Sequence, residues 1–168
     1  MEVDDSGLLR VGVALDPDDI DAAFAELDAR YRDGEAAAHA HTWSVVASAY
    51  VTLNRRQIPA ATPDCVTVDR RGGGIAHEGN VDSYLNATWD VAPDVTMRIE
   101  TVHRLTALGA VVTFTSRGTS QSGFGAHWRG INVLTVEGDL ISRGEIFDED
   151  YLDAALARFD ELSRATAG

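Results

Sequence analysis

The sequence has a single cysteine, Cys65, in 168 residues. One thiol excludes an internal disulfide and suits a reducing compartment. Cys65 itself reads as a small buried apolar residue in a strand. Positive charge is scarce as well: 14 Lys and Arg stand against 27 Asp and Glu, for a formal charge of −13. That balance disfavours nucleic acid or an anionic membrane as partner, and the acids concentrate in two terminal helical segments, where they read as solvated faces. No apolar run reaches membrane length and no leader pattern is present, so a soluble, cytoplasmic chain is expected.

Sharp catalytic signatures are missing too. Gly123-Phe-Gly125 lies in a strand-to-strand loop instead of opening a helix, so it is not a dinucleotide fingerprint. No Ser sits on a strand–turn–helix elbow. His39 and His41 are two apart on a helix and do not share a face, which excludes them as a metal pair. No metal and no cofactor is expected.

What is present is clearest at the end of the chain. Gly138-Asp139 between apolar runs signals a two-residue hairpin, and Leu140 to Phe147 then reads as a strand. Asp148 is placed to cap a helix whose Leu152, Ala155, Leu156 and Phe159 form one apolar face. The same pattern occurs once more: shifted by 132 residues, Ser6 to Arg30 lies over Gly138 to Leu162. Leu8, Gly12, Asp16, Asp18, Asp21, Ala22, Ala23, Ala25 and Asp28 match identically, and Ile20, Phe24 and Leu27 meet apolar residues. Fixed-period similarity marks repeated units. Residues 1–35 therefore read as a strand–helix extension resembling the tail of a preceding repeat, with a second domain over 36–164. The strand Leu8 to Leu15 is expected to lack a hairpin partner of its own.

In order, Asp16-Pro17 opens a helix to about Tyr31, and a second runs from about Glu35 to Asn54 with Trp43, Val46, Ala47, Tyr50 and Leu53 on one face. Cys65 to Asp69 is a short strand, followed by a flexible Gly72-Gly73-Gly74. Gly79-Asn80 precedes a third helix to about Trp89. Residues 95–106, 110–118 and 127–137 alternate as long strands. Helices first, then a meander, then a terminal helix predicts an α+β fold. Val95, Met97, Ile99, Val111, Thr113, Ile131 and Val133 would fill one sheet face, Val112, Phe114, Leu134 and Val136 the other. Only one face can pack on the helices, so a symmetric homodimer through the sheet is expected.

The helix carrying Tyr50-Val-Thr-Leu-Asn, the strand Asp64-Cys-Val-Thr-Val-Asp, the small third helix and the strands ending Gly138-Asp-Leu-Ile…Phe-Asp resemble the nuclear-transport-factor-2-like fold, within it the SnoaL-like polyketide cyclase group. The resemblance covers about residues 36–148. It implies a cone-shaped barrel, with helices packed in the concave face of a curved, mainly antiparallel sheet and the terminal helices flanking it. It also implies a pocket for a small apolar or aromatic molecule. Members include isomerases, cyclases, dehydratases and non-catalytic binding domains. Three readings follow: a ligand-binding accessory or sensor module of a larger protein, a cofactor-independent isomerase, cyclase or dehydratase, and a structural dimerisation unit.

The resemblance also points to Glu145, three residues before Asp148, where such cyclases carry an acid/base carboxylate. Inside an apolar cone its pKa would rise; facing outward it would pair with Arg143 or Arg129. The His partner of those cyclases has no counterpart here, where Ile131 and Asn132 stand. Asn132 could orient Glu145, and His103 and His127 on strands are further acid/base or ligand-orienting candidates. Asp69 and Arg71 could hold a polar ligand at a pocket mouth, while Trp43, Tyr50, Tyr84, Trp89 and Trp128 are core aromatics able to line a cone.

Overall fold

The computed structural model describes residues 2–3, 6–14, 16, 18–72 and 77–166. Leu15 and Pro17 of the first strand–helix pattern, and Gly73 and Gly74 of the expected flexible link, lie outside them. The chain divides into two units, residues 1–37 and 38–168.

In the first unit, β1 (Glu2–Val3) pairs antiparallel with β2 (Leu9–Val11). The early strand thus has a hairpin partner within its own unit, contrary to the sequence expectation. Helix α1 spans Ile20–Asp33. It starts one turn later than expected because Asp16 to Asp19 close a turn, with the Asp19 amide donating to the Asp16 carbonyl at 2.9 Å. Asp19 is then the cap, accepting from the Ala22 amide at 3.2 Å. No residue of α1 is buried, and Ile20 and Leu27 on its apolar face are 53% and 57% exposed.

A short 3-10 turn, Ala37–His39, spans the division and leads into α2 (Ala40–Asn54), which buries Trp43, Val46, Ala49 and Tyr50. Strand β3 (Ala61–Asp69) starts earlier than Cys65, and it pairs with β4 (His77–Asn80), a strand the sequence reading did not foresee. Asn80 caps α3 (Val81–Val91), its side-chain oxygen accepting from the Asp82 amide at 2.7 Å. Then follow β5 (Thr96–Leu105), β6 (Gly109–Thr119), β7 (Gly125–Glu137), β8 (Leu140–Asp148) and α4 (Leu152–Thr166). The hairpin at Gly138 is made as expected, with Gly138 at φ 58°. Asp148 does not cap a helix with its side chain. A 3-10 turn over Glu149–Tyr151 intervenes, and the Asp148 carboxylate accepts from the Gly72 amide at 3.2 Å.

The sheet order is β4-β3-β8-β7-β6-β5, antiparallel throughout except for the parallel pair β3–β8. It is curved and unclosed, so β4 and β5 are free edges. The Asn54 side chain reaches the β5 edge, donating to the Met97 carbonyl at 2.9 Å and accepting from the Met97 amide at 2.7 Å. Helices α2 and α3 lie on the concave face, and the architecture is α+β as predicted.

On the convex face, Val111, Ile131, Val133 and Phe147 form one cluster with Ala155 and Phe159 of α4, edged by Leu152, Leu156 and Leu162. The amphipathic pattern of the last helix is explained by this seat. Much of the apolar face that predicted a dimer is therefore covered by the chain's own helix. The two predicted faces were also mixed. Bulges in β5 near Glu100 and His103 shift its alternation, so that Met97, opposite Ser116, lines the concave side.

Candidate functional site

A cavity of about 120 Å³ lies between α2, α3 and the concave face of the sheet. Helix α2 contributes Ala49, Tyr50 and Leu53; α3 contributes Val81, Tyr84, Leu85 and Thr88. From the sheet come Cys65 and Thr67 of β3, Met97 of β5, Phe114 of β6, Trp128, Asn132 and Leu134 of β7, and Ile141, Gly144 and Ile146 of β8. The β7 set follows period-two alternation, and its partners in register, Gly144 beside Leu134 and Ile146 beside Asn132, share that face.

Two glycines shape the cavity. At Gly130 an added Cβ would come within 3.0 Å of the Phe114 ring, so the missing side chain lets that ring lie over the strand. At Gly144 an added Cβ would meet only Leu134, at 3.6 Å, so the missing side chain leaves open volume. Tyr50 and Phe114 meet with ring centroids 6.5 Å apart and planes tilted by 52°.

The polar content of this wall is small and specific. Asn132 Nδ2 donates to Tyr50 Oη at 3.2 Å. Asn132 Oδ1 is buried with no hydrogen-bond partner, a condition that costs roughly 1–3 kcal/mol when unrelieved. Burial pushes the Tyr50 pKa up, with the Asn132 hydrogen bond a smaller opposing influence, so the phenol keeps its proton. Toward the end of β3, Asp69 accepts from Arg71 Nε at 3.0 Å and from Nη2 at 2.6 Å. Arg71 Nη2 also donates to Tyr84 Oη at 2.9 Å. Burial raises the Asp69 pKa, but the Arg71 bonds outweigh it and hold the carboxyl low. Tyr84 is pushed up to about 12, mainly by burial. Burial also raises the Cys65 thiol, which makes it a poor nucleophile.

Glu145 is not on this wall. It is 0% exposed on the convex side, where Oε1 accepts from Arg143 Nε at 2.5 Å and Arg158 Nε at 3.0 Å. Its Oε2 accepts from Arg70 Nε at 2.6 Å, and the Arg70 guanidinium lies 5.7 Å from the Phe147 ring centroid. Burial alone would raise the Glu145 pKa; the three arginine hydrogen bonds reverse that and lower it. The base in the cone is not found; the outward alternative is met in its pairing with Arg143, but the carboxylate is buried and not solvent-facing. Glu145 pairs in unbroken register with Val133 and shares the convex face with Arg143 and Phe147. The β7–β8 register shifts only between Thr135–Arg143 and Val136–Ile141, leaving Ser142 as an extra residue and turning Ile141 to the cavity side with Gly144 and Ile146. Arg129, the other suggested partner, instead bridges Glu100 and Glu149.

The remaining candidates divide. Tyr50, Arg71, Tyr84, Trp128 and Asn132 border the cavity, with Asp69 attached through Arg71. Trp43 is buried in α2 away from the wall, Trp89 is half-buried beyond it, and His127 is exposed at the outer end of β7. His103 sits at a β5 bulge, bonded to Thr113 Oγ1 at 2.7 Å, and does not border the cavity. His41 of the excluded histidine pair bonds the Gly138 carbonyl at 3.0 Å. Among the described residues no three His, Cys, Asp or Glu side chains converge as a metal set. Leu53, Met97 and Phe114, read from sequence only as face-forming residues, and Ile146 were not singled out as lining the site. Alternation with Trp128 and Asn132 signals only those on directly paired strands.

No family model and no curated protein sequence matches the chain. Solved structures do. IdmH of Streptomyces antibioticus, a candidate polyketide cyclase, is 16% identical with a TM-score of 0.52, over 68% of this chain and 96% of its own. TerC, co-crystallised with polyporic acid, is 17% identical with a TM-score of 0.52, over 70% and 98%. An NTF2-like protein from Anabaena variabilis is 15% identical with a TM-score of 0.53, over 64% and 88%. The fold is thus the nuclear-transport-factor-2-like fold expected from the sequence.

Proposed function

We propose that the second unit binds a small, largely apolar cyclic molecule in the cavity between α2, α3 and the sheet, as a SnoaL-like binding domain. The observation that carries this reading is the apolar enclosure holding one unpaired buried acceptor, Asn132 Oδ1. TerC, co-crystallised with polyporic acid, lends support from the same fold. Binding is favoured over proton transfer because the groups bordering the cavity are two phenols and a thiol with raised pKa values and an arginine held by Asp69. An acid/base role for Glu145 forms no part of the reading.

Gly144→Leu is the direct test. Its side chain would enter open volume and fill the cavity. Calorimetric titration with toluene should give saturable binding to the unaltered protein and none to Gly144→Leu, whose thermal transition stays as high or higher. Toluene binding equally well to both would remove the reading.

The accessory role rests on the repeat. Helices α1 and α4 begin at positions that the 132-residue shift superposes, Ile20 on Leu152, and Leu27 falls on the buried Phe159. The exposed apolar face of α1 therefore suits the convex sheet face of a similar domain, as in a tandem protein. Deleting residues 1–35 is expected to leave the melting temperature of the second unit within about 2 °C, as befits a separable remnant. A collapse of the transition would count against it.

A further inference from the structure

Resting on the binding reading above, the inference concerns what the ligand must carry. We propose that the Tyr50–Asn132 pair selects a neutral hydroxyl on a small ring, a phenol or cyclic alcohol, over hydrocarbon, ketone and carboxylate analogues of the same size.

The pair offers two complementary groups side by side. Because Asn132 Nδ2 donates to Tyr50 Oη, the phenolic proton of Tyr50 is directed elsewhere, and no acceptor for it occurs among the described residues. Asn132 Oδ1 is a buried acceptor that lacks a donor. One ligand hydroxyl satisfies both, accepting from Tyr50 and donating to Asn132. With the amide turned over, Tyr50 donates to Oδ1, and a ligand hydroxyl accepts from Nδ2 and donates to Tyr50 Oη; a hydroxyl still pairs with both groups, while a ketone pairs with Nδ2 alone.

The competitors each leave something unmet. A hydrocarbon pairs with neither group. A ketone accepts from Tyr50 but brings no proton to Asn132 Oδ1. A carboxylate brings no proton either and loses its hydration in an apolar enclosure. Among the described residues Arg71 is the cation on the wall, and its charge is offset by Asp69, which takes Nε and Nη2. Discrimination of this kind is strong because a site built to hydrogen-bond a hydroxyl is left with unpaired groups by the analogue that lacks it. The volume, about 120 Å³, is close to that of the ~150 Å³ apolar cavity that takes up benzene, which points to a single ring.

Titration calorimetry with p-cresol, toluene, 4-methylacetophenone and 4-methylbenzoate at pH 7 reads the selection directly. The expected order is p-cresol at least ten-fold tighter than toluene or the ketone, with no heat from the carboxylate. Asn132→Leu should erase the preference, binding toluene as well as or better than p-cresol, and Tyr50→Phe should narrow it. Folding of each variant is checked by its circular dichroism spectrum, and Tyr50→Phe alone decides the matter if Asn132→Leu does not fold. Toluene binding as tightly as p-cresol to the unaltered protein would overturn this inference while leaving the cavity reading intact. An unaltered protein that binds none of the four overturns both.

Discussion

Glu145→Ala is expected to lower the unfolding free energy by about 3–5 kcal/mol, enough to bring a domain of this size near its threshold. The carboxylate is fully buried and lies among Arg70, Arg143 and Arg158, whose side chains are each about a quarter to a third exposed. Removing it leaves three cations facing one another with no anion between them. Glu145→Gln keeps the shape but not the charge, and should recover only a minor part. The pH dependence follows from the direction of the shift. The folded-state pKa lies below the ordinary 4.5, so the contribution is complete above that pH. It is lost as pH falls through the lowered folded value. Urea titrations between pH 3 and pH 7 should therefore show a steeper acid loss for the unaltered protein than for Glu145→Gln. Parallel profiles would mean that the cluster contributes nothing to stability.

The second large effect concerns α4. Phe159→Ala should lower stability by about 3–5 kcal/mol, because Phe159 is fully buried against Val111, Ile131, Val133 and Phe147. Ending the chain at Asp148 is the stronger change. It uncovers those four side chains together and removes Arg158 from Glu145 at the same time. Sedimentation should then show larger assemblies than the full chain forms, since an uncovered apolar sheet face of this kind seeks a partner. A shortened chain that sediments as a stable monomer would show that α4 is dispensable as cover.

How much of this was legible in the sequence depended on distance along the chain. The hairpin at Gly138, the apolar face of the last helix, and the sharing of one face by Trp128 and Asn132 follow from local periodicity, and each is found. Tyr50 could be placed on the inner face of α2, but its pairing with Asn132 joins residues 82 positions apart and needs the folded sheet. Glu145 failed for a different reason. Alternation groups it with Arg143 and Phe147, as found, but does not say which face looks into the cone, and the resemblance pointed to the wrong one. The extra residue at Ser142, which turns Ile141 to the cavity side, is announced by nothing in residues 140–148. Nor does anything mark Arg70, just after β3, and Arg158, on α4, as partners of one carboxylate. Strand β4 escaped notice because His77-Glu-Gly-Asn80 has neither β-branched residues nor an apolar face.

The parallel contact of β3 with β8 has a consequence for the order of folding. Strands β5 to β8 form from neighbouring hairpins, as does the β3–β4 pair, and such local contacts close quickly. Joining the two pieces must wait for a loop closure across about 75 residues, the separation of Arg70 from Glu145. Until then one edge of β8 stays open and Glu145 lacks one of its three arginines. The meander is in that interval a four-stranded sheet with an unprotected seam, and that seam is where two nascent chains could pair with each other instead of with their own β3.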